Sequence, residues 1–428
     1  MQQKIKIEKP KILVLTYFHP PLESVTVIRN AALIPEFQKI FSETYVLTSS
    51  NIKFLPNYEN YKPSYTLLKV PTFDFRTLLF LLSSKNNNSQ VSQESKQNLL
   101  AKYFLKLKAS FPFSLLLSEG SLLYIFSASF KSIRLIRRNK MTHLFSSFYP
   151  LCDIYAGYLI KLFCPKIIWV CDFRDLPVDP YFENTYFPKF QDNVLKHMLK
   201  RATKLTTISE GLKNHVLKYN PQVKVVRNGI DAELFNFQRE PFNKFSIGYT
   251  GSIYGYDATL LFLSKILKNL KDKNIISEDN FQIVYAGKDG VILDRFLKES
   301  AVNMFINSIG QVKREQALEV QRNAHINLIF SYTLPNFTGI LTGKLFEYLA
   351  AQPPILVLID GVQDTEFENI LTELSAGKVF YTDKDLDSAV AWIGNQFLEW
   401  KINGSVAPKV NSEKIKEMKW RDAAEKIF

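Results

Sequence analysis

The stretch TGILTGKLFEYLAAQPPIL, residues 338 to 356, contains the most informative pattern in the sequence. A Gly/Thr loop leads into a helix that ends before two prolines and is followed by an apolar, strand-like run. The first turn of such a helix has unpaired N–H groups and a positive dipole, which suit a pyrophosphate. Lys344 adds a charge there, and Glu347 is placed one turn further to accept hydrogen bonds from a ribose. The alternative is an exposed Lys344–Glu347 pair on a surface helix.

Outward from this stretch, β-branched or apolar runs alternate with helix-like segments. The runs before residue 231 are 12–16, 44–47, 142–145, 167–171, 205–207 and 223–226. After a polar stretch that ends at Lys244, further runs follow at 245–250, 281–285, 304–309, 326–330 and 355–358. Because strands that alternate with helices form parallel sheets, the sequence predicts an α/β fold.

The restart of the pattern predicts two Rossmann-like domains, 1–236 and 244–400, which face each other across a cleft. Ligands of such domains bind at the carboxyl ends of the strands. Residues 401–428 are expected to form a C-terminal helix that packs back on the body, with Trp420, Ala423 and Ile427 on one face.

Length and composition agree with a globular protein of two or three domains. The chain has 428 residues, of which 46% are hydrophobic and 22% charged; a domain usually takes ~100–200 residues. The spacing of Cys152, Cys164 and Cys171 matches no disulfide framework and no common zinc pattern, so no structural metal is expected. The sequence begins with no signal-peptide pattern and has no run of ~20 apolar residues. These features predict a cytoplasmic protein.

The net charge of +13 is concentrated in the first third of the chain. Residues 1–150 contain 20 Lys/Arg against 8 Asp/Glu, whereas residues 151–428 contain 34 against 33. Between Arg76 and Lys140, 11 basic and 2 acidic residues are interleaved with Phe, Leu and Tyr. Basic amphipathic helices of this kind lie on anionic lipid headgroups. We therefore expect residues 76–140 to contact the inner face of a membrane; the alternative is a solvated basic face over an ordinary core. No nucleic-acid partner is expected, because no nucleic-acid-binding motif accompanies the charge.

Taken with its surroundings, the 338–356 stretch resembles the donor-site helix of the retaining GT-B glycosyltransferases, in particular family four, where the pattern GK-x-FEY-x-A-x-x-x-P-I recurs. Other segments follow in the family's order. They are KILVLTYFHPP at 11–21 followed by Arg29, LTTISEGL at 205–212, VVRNGIDAELF at 225–235, IGYTGS at 247–252, YAGKDG at 285–290 and IGQV at 309–312. The resemblance covers nearly the whole chain.

The resemblance implies a metal-independent enzyme without a cofactor. Such an enzyme moves a hexosyl or N-acetylhexosaminyl group from a nucleoside diphosphate sugar to a glycan or lipid-linked acceptor, with retention of configuration, in surface polysaccharide synthesis. Lys344 is the catalytic cation by this resemblance. The implied donor site is Gly251, Ser252, Gly287, Lys288, Val312, Thr338, Gly339, Thr342, Gly343 and Glu347.

The acceptor side is expected where two strands of the first domain end. Asp172, Arg174 and Asp175 come directly after a buried strand, which is costly unless they pair or bind something. Asp172, Arg174 and His143 are the candidate catalytic residues there; the candidate acceptor-binding residues are Arg29, Ser146, Ser147, Tyr149 and Asp175. The alternatives are a structural Arg174–Asp salt bridge and a structural role for His143.

Three positions depart from the family pattern. The Gly-rich first loop is replaced by LESVTVI at 22–28, and Gly339 stands eight residues before Glu347, where the family has its first glutamate. GSIYGYD at 251–257 lacks the usual basic pair, for which Lys344, Lys288 or Arg314 can substitute. Two alternatives therefore stay open: a catalytically weak nucleotide-sugar-binding partner protein, and a GT-B sugar-nucleotide epimerase.

Overall fold

The chain forms two compact units, Met1–Arg227 with Trp420–Phe428, and Asn228–Lys419. The computed structural model describes residues 9–22, 24–50, 52, 54–55, 61–77, 99–181, 183–235, 239–253, 255–382, 384–406 and 410–428. The division falls at Arg227, ahead of the stretch 236–244 at which the sequence predicted the boundary. We call the two units the N-terminal unit and the C-terminal unit.

A parallel sheet of seven strands forms the centre of the N-terminal unit. The strands are β1 Lys11–Leu15, β2 Glu43–Ser49, β3 Thr66–Val70, β4 His143–Phe148, β5 Ile168–Phe173, β6 Lys204–Thr207 and β7 Val223–Val225. The helices described in this part are α1 Val25–Ile40, α2 Leu99–Ala109, α3 Ser114–Leu117, α4 Ser121–Asn139, α5 Leu151–Phe163, α6 Pro188–Leu199 and α7 Glu210–Val216. The spatial order β3-β2-β1-β4-β5-β6-β7 reverses direction between β1 and β4, the point at which such sheets bind ligands.

The C-terminal unit repeats this plan with six parallel strands. They are β8 Phe245–Thr250, β9 Phe281–Ala286, β10 Ile306–Gly310, β11 Ile326–Tyr332, β12 Ile355–Asp360 and β13 Gly377–Tyr381. The α-helices described here are α8 Asp257–Asp272, α9 Gly290–Lys298, α10 Arg314–Asn323, α11 Gly343–Ala351, α12 Thr365–Glu373, α13 Leu386–Asn403 and α14 Ser412–Lys416; short 3₁₀ turns cover Ala232–Phe235 and Asn303–Phe305. The order β10-β9-β8-β11-β12-β13 reverses between β8 and β11. The two parallel α/β sheets that the sequence predicted are confirmed.

The central strands are apolar on both faces, which explains their continuous hydrophobic runs. In β11, Leu328 and Phe330 pack into the core cluster around α8 and α13. Ile329, between them, packs into a second cluster with α11 and α12. Because successive side chains of a strand point to opposite faces, a sheet covered by helices on both faces buries every residue.

The two strands that sequence analysis missed, β3 and β13, both lie at the edge of a sheet. β3 has the sequence TLLKV and only its last residue is buried, and β13 begins with a half-buried Gly377 and an exposed Lys378. Edge strands are commonly short and carry Lys, which discourages pairing with another chain. Their pattern is therefore weaker than that of a central strand.

The C-terminal segment returns to the N-terminal unit, as predicted, through a final helix, α15 Trp420–Ile427. Its buried side chains Trp420, Ala423, Ala424 and Ile427 pack in one cluster with residues of α1 and of the central strands β1, β4 and β5. The predicted single helix over 401–428 is wrong in extent. α13 ends at Gly404, a left-handed cap with φ 69°, and the short helix α14 belongs to the C-terminal unit.

A buried ion pair connects α1 to the sheet of the N-terminal unit. Arg29 donates from Nε to Asp172 Oδ2 at 2.9 Å and from Nη2 to Asp172 Oδ1 at 3.0 Å. Thr206 on β6 donates to the same carboxylate at 2.7 Å. The Arg29 side chain is 3% exposed and the Asp172 side chain 0%. Because water does not solvate either group, each charge stabilises the other in the interior.

No helix in the described part of the chain combines the length and hydropathy needed to cross a bilayer.

We expect Asp172→Ala to lower the free energy of unfolding by about 3–5 kcal/mol, because it removes the carboxylate that pairs with the buried Arg29 charge. Urea denaturation followed by circular dichroism measures this loss. Thr206→Val, which removes one hydrogen bond to the same carboxylate, is the matched control and should cost only about 1 kcal/mol. Equal losses for the two variants would contradict a dominant role for the ion pair.

Candidate functional site

In the C-terminal unit, the candidate site centres on Lys344, the second residue of α11. Its ammonium donates to the Tyr249 hydroxyl at 2.9 Å and lies 4.2 Å from the centroid of that ring. Tyr249 belongs to β8, and its own hydroxyl donates to the Ser252 carbonyl at 2.8 Å. Burial lowers the pKa of Lys344 to about 8, against the opposing effect of the Glu347 carboxylate. A strand residue therefore holds a lysine with a lowered pKa at the first turn of a helix.

Two glycines allow the loops after β8 and β9 to approach this lysine and each other. Gly251 has φ +108°, and a Cβ there would lie 3.0 Å from Lys344 Cε and 3.1 Å from Nζ. A Cβ at Gly287 would overlap the Tyr285 hydroxyl and the Gly251 carbonyl oxygen. Tyr285 donates to that carbonyl at 2.9 Å, which fixes the two loops together. A larger residue at either glycine would displace the loop or the lysine.

Glu347, one turn along α11, lies in a network with α10. Its Oε1 pairs with Arg314 Nη1 at 2.7 Å, and its Oε2 accepts from Gln321 Nε2 at 3.0 Å. Gln321 Nε2 also donates to Thr250 Oγ1 at the end of β8. Arg314 therefore lies next to the candidate ribose-binding carboxylate. The alternative of an exposed Lys344–Glu347 pair is not observed: Lys344 bonds to Tyr249, and Glu347 bonds to Arg314 and Gln321.

The loop before α11 and the first residue of that helix together contain four of the predicted donor residues. Gly339 has φ +72° and donates its N–H to Asp364 Oδ2 at 2.7 Å, while Asp364 Oδ1 caps α12 at Phe367 N. Thr338 is half-buried, and Gly343 is exposed at the start of the helix. Thr342 precedes the helix without capping it, and its hydroxyl has no hydrogen-bond partner in the described part of the chain. A carboxylate does lie beside Gly339, but both of its oxygens accept from the backbone.

The remaining predicted donor residues lie near these loops with different surroundings. Ser252 accepts the Tyr249 hydrogen bond through its carbonyl, and Lys288 is exposed directly after Gly287. Val312 packs in a small apolar cluster with Phe242, Val284, Ala286 and Val320. Apolar packing is thus the observed environment of Val312.

In the N-terminal unit, the predicted catalytic charges are occupied by structural partners. The Asp172 carboxylate is fully enclosed by Arg29 and Thr206, so neither the predicted catalytic contact of Asp172 nor the predicted acceptor contact of Arg29 is available in this structure. Arg174 donates to three backbone carbonyls, those of Thr26, Phe148 and Tyr149. The predicted alternative of a structural salt bridge applies to Asp172, with Arg29 and not Arg174 as its partner.

His143 lies at the wrong end of its strand for the predicted role. The sequence placed a strand over 142–145, whereas β4 runs from His143 to Phe148, so the histidine begins the strand. Its ring centroid lies 5.0 Å from that of Phe41 and 5.5 Å from that of Phe428, under the C-terminal segment. Burial lowers its pKa. The structural alternative for His143 fits these contacts.

The candidate acceptor residues divide between the sheet interior and a cavity. Ser146 accepts a hydrogen bond from Trp169 Nε1 at 2.9 Å, and Ser147 is buried with no partner for its hydroxyl among the described residues. Tyr149 and Asp175 instead line a cavity of about 180 Å³ beyond the carboxyl ends of β4 and β5. Its other polar lining residues are Lys108, Ser118, Glu119 and Asn184.

Glu119 is a charged residue of this cavity that sequence analysis did not select as a site residue. It is 1% exposed and pairs with Lys108 at 2.6 Å and Arg76 at 3.2 Å. Burial opposes its ionisation, but the two cations lower the pKa of Glu119 to about 2. Burial, with this neighbouring charge, raises the pKa of Tyr149. A signal existed, because Glu119 is the only acidic residue between residues 99 and 150.

Comparisons with known proteins agree with this architecture. No protein-family model matches the chain, and neither does any curated protein. Among solved structures, a glycosyltransferase from Rickettsia africae ESF-5 is similar with a TM-score of 0.55 and 13% identity, over 98% of this chain and 93% of that one. WaaG, a glycosyltransferase involved in lipopolysaccharide biosynthesis, gives 0.54 and 11%, over 96% and 94%. E. coli trehalose-6-phosphate bound with UDP-2-fluoro glucose gives 0.58 and 12%, over 97% of each chain.

The chain has the GT-B fold. The fold implied by the sequence resemblance is thereby confirmed. Within this GT-B chain, the loops at 251–252, 287–288 and 338–343 all lie at the carboxyl edge of one sheet with Lys344 and Glu347. Among the described residues, no group of three or more His, Cys, Asp or Glu is arranged to hold a metal ion.

In this GT-B chain, binding of a nucleoside diphosphate at Lys344 is expected to weaken as the pH rises. A lysine with a pKa of about 8 loses its positive charge between pH ~7 and ~9, so affinity should fall about tenfold over that range. Calorimetry with UDP, GDP and ADP at the two pH values measures the change. Lys344→Arg keeps its charge at the higher pH and is the control. An equally steep fall in that variant would exclude Lys344 as the titrating group.

Proposed function

We propose that the protein is a retaining glycosyltransferase that moves a hexosyl or N-acetylhexosaminyl group from a nucleoside diphosphate sugar to a glycan or lipid-linked acceptor. Surface polysaccharide synthesis is the process in which such a reaction fits. The observation that carries the proposal is the position of Lys344, held by Tyr249 and against Gly251 at the start of α11, with Glu347 one turn further.

The leaving diphosphate is the group that this arrangement stabilises. The first turn of α11 offers backbone N–H groups and a positive dipole, and Lys344 adds a charge that burial makes stronger towards an anion. In the reaction, the bond from the anomeric carbon to the phosphate oxygen breaks and a bond to the acceptor oxygen forms on the same face. The acceptor proton passes to the departing phosphate, so no protein base is required. The charge on that phosphate grows towards the transition state, where Lys344 stabilises it most.

The nucleotide is expected to be oriented by Glu347. Its carboxylate pairs with Arg314 and accepts a hydrogen bond from Gln321, which keeps an acceptor in a defined direction for a ribose diol. Arg314 supplies a positive charge that the loop at 251–257 lacks. Glu347 and Arg314 can therefore bind the ribose while Lys344 binds the phosphates.

The acceptor is expected to bind in the N-terminal unit at the cavity lined by Tyr149 and Asp175. A cavity volume of about 180 Å³ leaves room for a group of the size of one sugar ring. Lys108, Asp175 and Asn184 provide hydrogen-bonding groups for hydroxyls. These residues replace Asp172 and Arg29 as candidates for acceptor contact.

A second candidate function, a nucleotide-sugar-binding protein with weak or no transfer activity, is favoured by one observation. Gly339 stands where a glutamate is expected, and the nearby Asp364 uses both oxygens on backbone N–H groups. Asp364 therefore already uses both carboxylate oxygens within the protein at the point where the donor sugar is expected. Release of free nucleotide from UDP-, GDP- or ADP-sugars with acceptor extracts distinguishes the two functions, since a binding protein is stabilised against heat by a sugar nucleotide without consuming it.

Glu347→Gln is expected to reduce nucleotide-sugar affinity by about 1.5–3 kcal/mol, or roughly tenfold to more than a hundredfold, because hydrogen bonds to a charged acceptor are lost. Calorimetry on the folded variant measures this change. Glu319→Gln, at an exposed glutamate on the neighbouring α10, is the matched control and should bind as the parent does. Unchanged affinity in Glu347→Gln would mean that the nucleotide site lies elsewhere.

We expect transfer to proceed in EDTA, because the helix start and Lys344 provide the electrophile. Lys344→Ala should lower kcat by about 10²–10³, the usual cost of removing one group that stabilises developing negative charge. Lys298→Ala, at an exposed lysine of α9, should have no effect. Loss of transfer in EDTA with recovery in magnesium or manganese, together with a near-neutral Lys344→Ala, would replace this mechanism by a metal-dependent one.

A further inference from the structure

The N-terminal unit exposes large apolar side chains on three consecutive helices, α2, α3 and α4. Phe130 is 73% exposed, Leu105 61% and Phe126 59%. The other large apolar side chains exposed on these helices and on the turn between α2 and α3 are Tyr103, Phe104, Phe113, Leu116 and Leu123. Single exposed apolar residues are ordinary, but a group of this size on adjacent helices marks an interaction surface.

The exposed face of α4 shows how apolar and basic residues are combined. Leu123, Phe126, Phe130, Arg134 and Arg138 follow at intervals of three or four residues and are all exposed, so they form one stripe along the helix. The opposite face, including Tyr124, Ala128 and Ser132, is buried against the unit. The stripe is apolar in its first half and basic in its second, and Lys140 extends the basic end.

Neighbouring segments continue the same surface. α2 contacts α3, and α3 contacts α4. Exposed Phe187 and Phe190 lie beside α2 and α3, because the Phe190 ring is 5.6 Å from that of Phe111 and Tyr186 donates to the Tyr103 carbonyl at 3.3 Å. At the other end, Arg137 donates to the carbonyl of exposed Phe163 at 3.1 Å. We call the exposed side chains of 103–116, 123–140, 162–163 and 186–190 the aromatic-basic surface.

The charge of this region is almost entirely positive. Residues 99 to 150 contain eight Lys or Arg and one acidic residue, Glu119. The Glu119 carboxylate is buried in ion pairs and is therefore not part of the exposed surface. One exposed carboxylate, that of Glu183, approaches the rim, 3.9 Å from Lys106. The surface is therefore complementary to something apolar and negatively charged.

We propose that the aromatic-basic surface docks on an anionic lipid bilayer, with Leu123, Phe126 and Phe130 inserted among the headgroups and the basic end of α4 on the lipid phosphates. This inference goes beyond the proposed function and does not depend on it. The sequence predicted contact through 76–140 from basic residues interleaved with Phe, Leu and Tyr. Residues 78–98 of that range lie outside the described residues.

A bilayer fits this combination better than the other occupants do. Nucleic acid would use the charge but leave the Leu and Phe side chains of the stripe in water. A second copy of the chain would bring two basic ends of the same sign together, which is unfavourable unless they are far apart. An anionic bilayer uses both halves, since its headgroups attract Lys and Arg and its interface takes up aromatic and aliphatic side chains. Leu105 also lines the cavity of the N-terminal unit, so a bound bilayer would lie beside that cavity.

Co-sedimentation of the full-length protein with vesicles tests the two halves separately. The vesicles are phosphatidylcholine alone or equimolar phosphatidylcholine and phosphatidylglycerol, each at low and at high salt. One variant, Phe126→Gln with Phe130→Gln, removes the apolar half. A second variant, Arg134→Gln with Arg138→Gln and Lys140→Gln, removes charge and keeps the Arg137 hydrogen bond.

Each variant has a control with the same chemical change elsewhere. Leu398→Gln with Ile402→Gln changes two exposed apolar residues of α13, also spaced by four. Lys265→Gln with Lys268→Gln and Lys298→Gln removes three exposed charges from the C-terminal unit. All the altered side chains are exposed, so thermal unfolding midpoints should match the parent's, and that measurement excludes misfolding as the cause.

The parent is expected to bind the anionic vesicles and to bind neutral vesicles much more weakly. Each variant should lose at least about tenfold in partition coefficient, and the controls should not. High salt should weaken the parent and the aromatic variant more than the charge variant, because salt screens the charge contribution. The proposal is overturned if the variants co-sediment with anionic vesicles as strongly as the parent does, or if the parent does not bind anionic vesicles. It is also overturned if size-exclusion chromatography shows a parent oligomer that Phe126→Gln with Phe130→Gln dissociates while vesicle binding stays unchanged.

Discussion

The parallel direction of every strand is the constraint on which the rest of this structure depends. In each sheet, the carboxyl ends of the strands meet at one edge, and the order of strands reverses between β1 and β4 and again between β8 and β11. The central strands of the C-terminal unit are largely apolar on both faces, and the flexible residues of the candidate site lie in the loops that follow them. Gly251, Gly287 and the start of α11 come together for this reason, although up to 92 residues separate Gly251 from Gly343.

At that edge of the C-terminal unit, a small number of contacts determine the chemistry. Tyr249 holds the Lys344 ammonium through its hydroxyl and ring, and Gly251 leaves room for it. Partial removal from water makes the ammonium easier to deprotonate and also increases its attraction for an anion, since both effects come from the lower local dielectric. Glu347 is instead paired with Arg314 at 2.7 Å. Two groups of opposite charge, one turn apart on one helix, are thus held by different neighbours.

In the N-terminal unit, some charged residues form buried ion pairs and others are exposed, and the sequence pattern does not distinguish the two groups. Asp172 and Arg29 have the residue types of an active site, yet they form a closed pair inside the unit. Glu119 lies in a stretch that reads as purely basic and amphipathic, yet it is buried at the wall of a cavity. The cost of burying a charge explains both observations, because a buried carboxylate persists only with a cation beside it. The exposed residues of α2, α3 and α4 do not have this cost, and they belong to the aromatic-basic surface.

The sequence by itself determined the α/β class, eleven of the thirteen strands, the return of the C-terminal helix and the grouping of Lys344 and Glu347 on one helix. These depend on hydrophobic periodicity and on local turn residues, which are properties of short segments. Only the tertiary structure decided the edge strands β3 and β13, the enclosure of Asp172, the place of His143 at the start of β4, and the partners of Lys344 and Glu347. Those facts depend on residues far apart in the chain, such as Arg29 and Asp172, whose distance is set by packing and hydrogen bonding that no local pattern encodes.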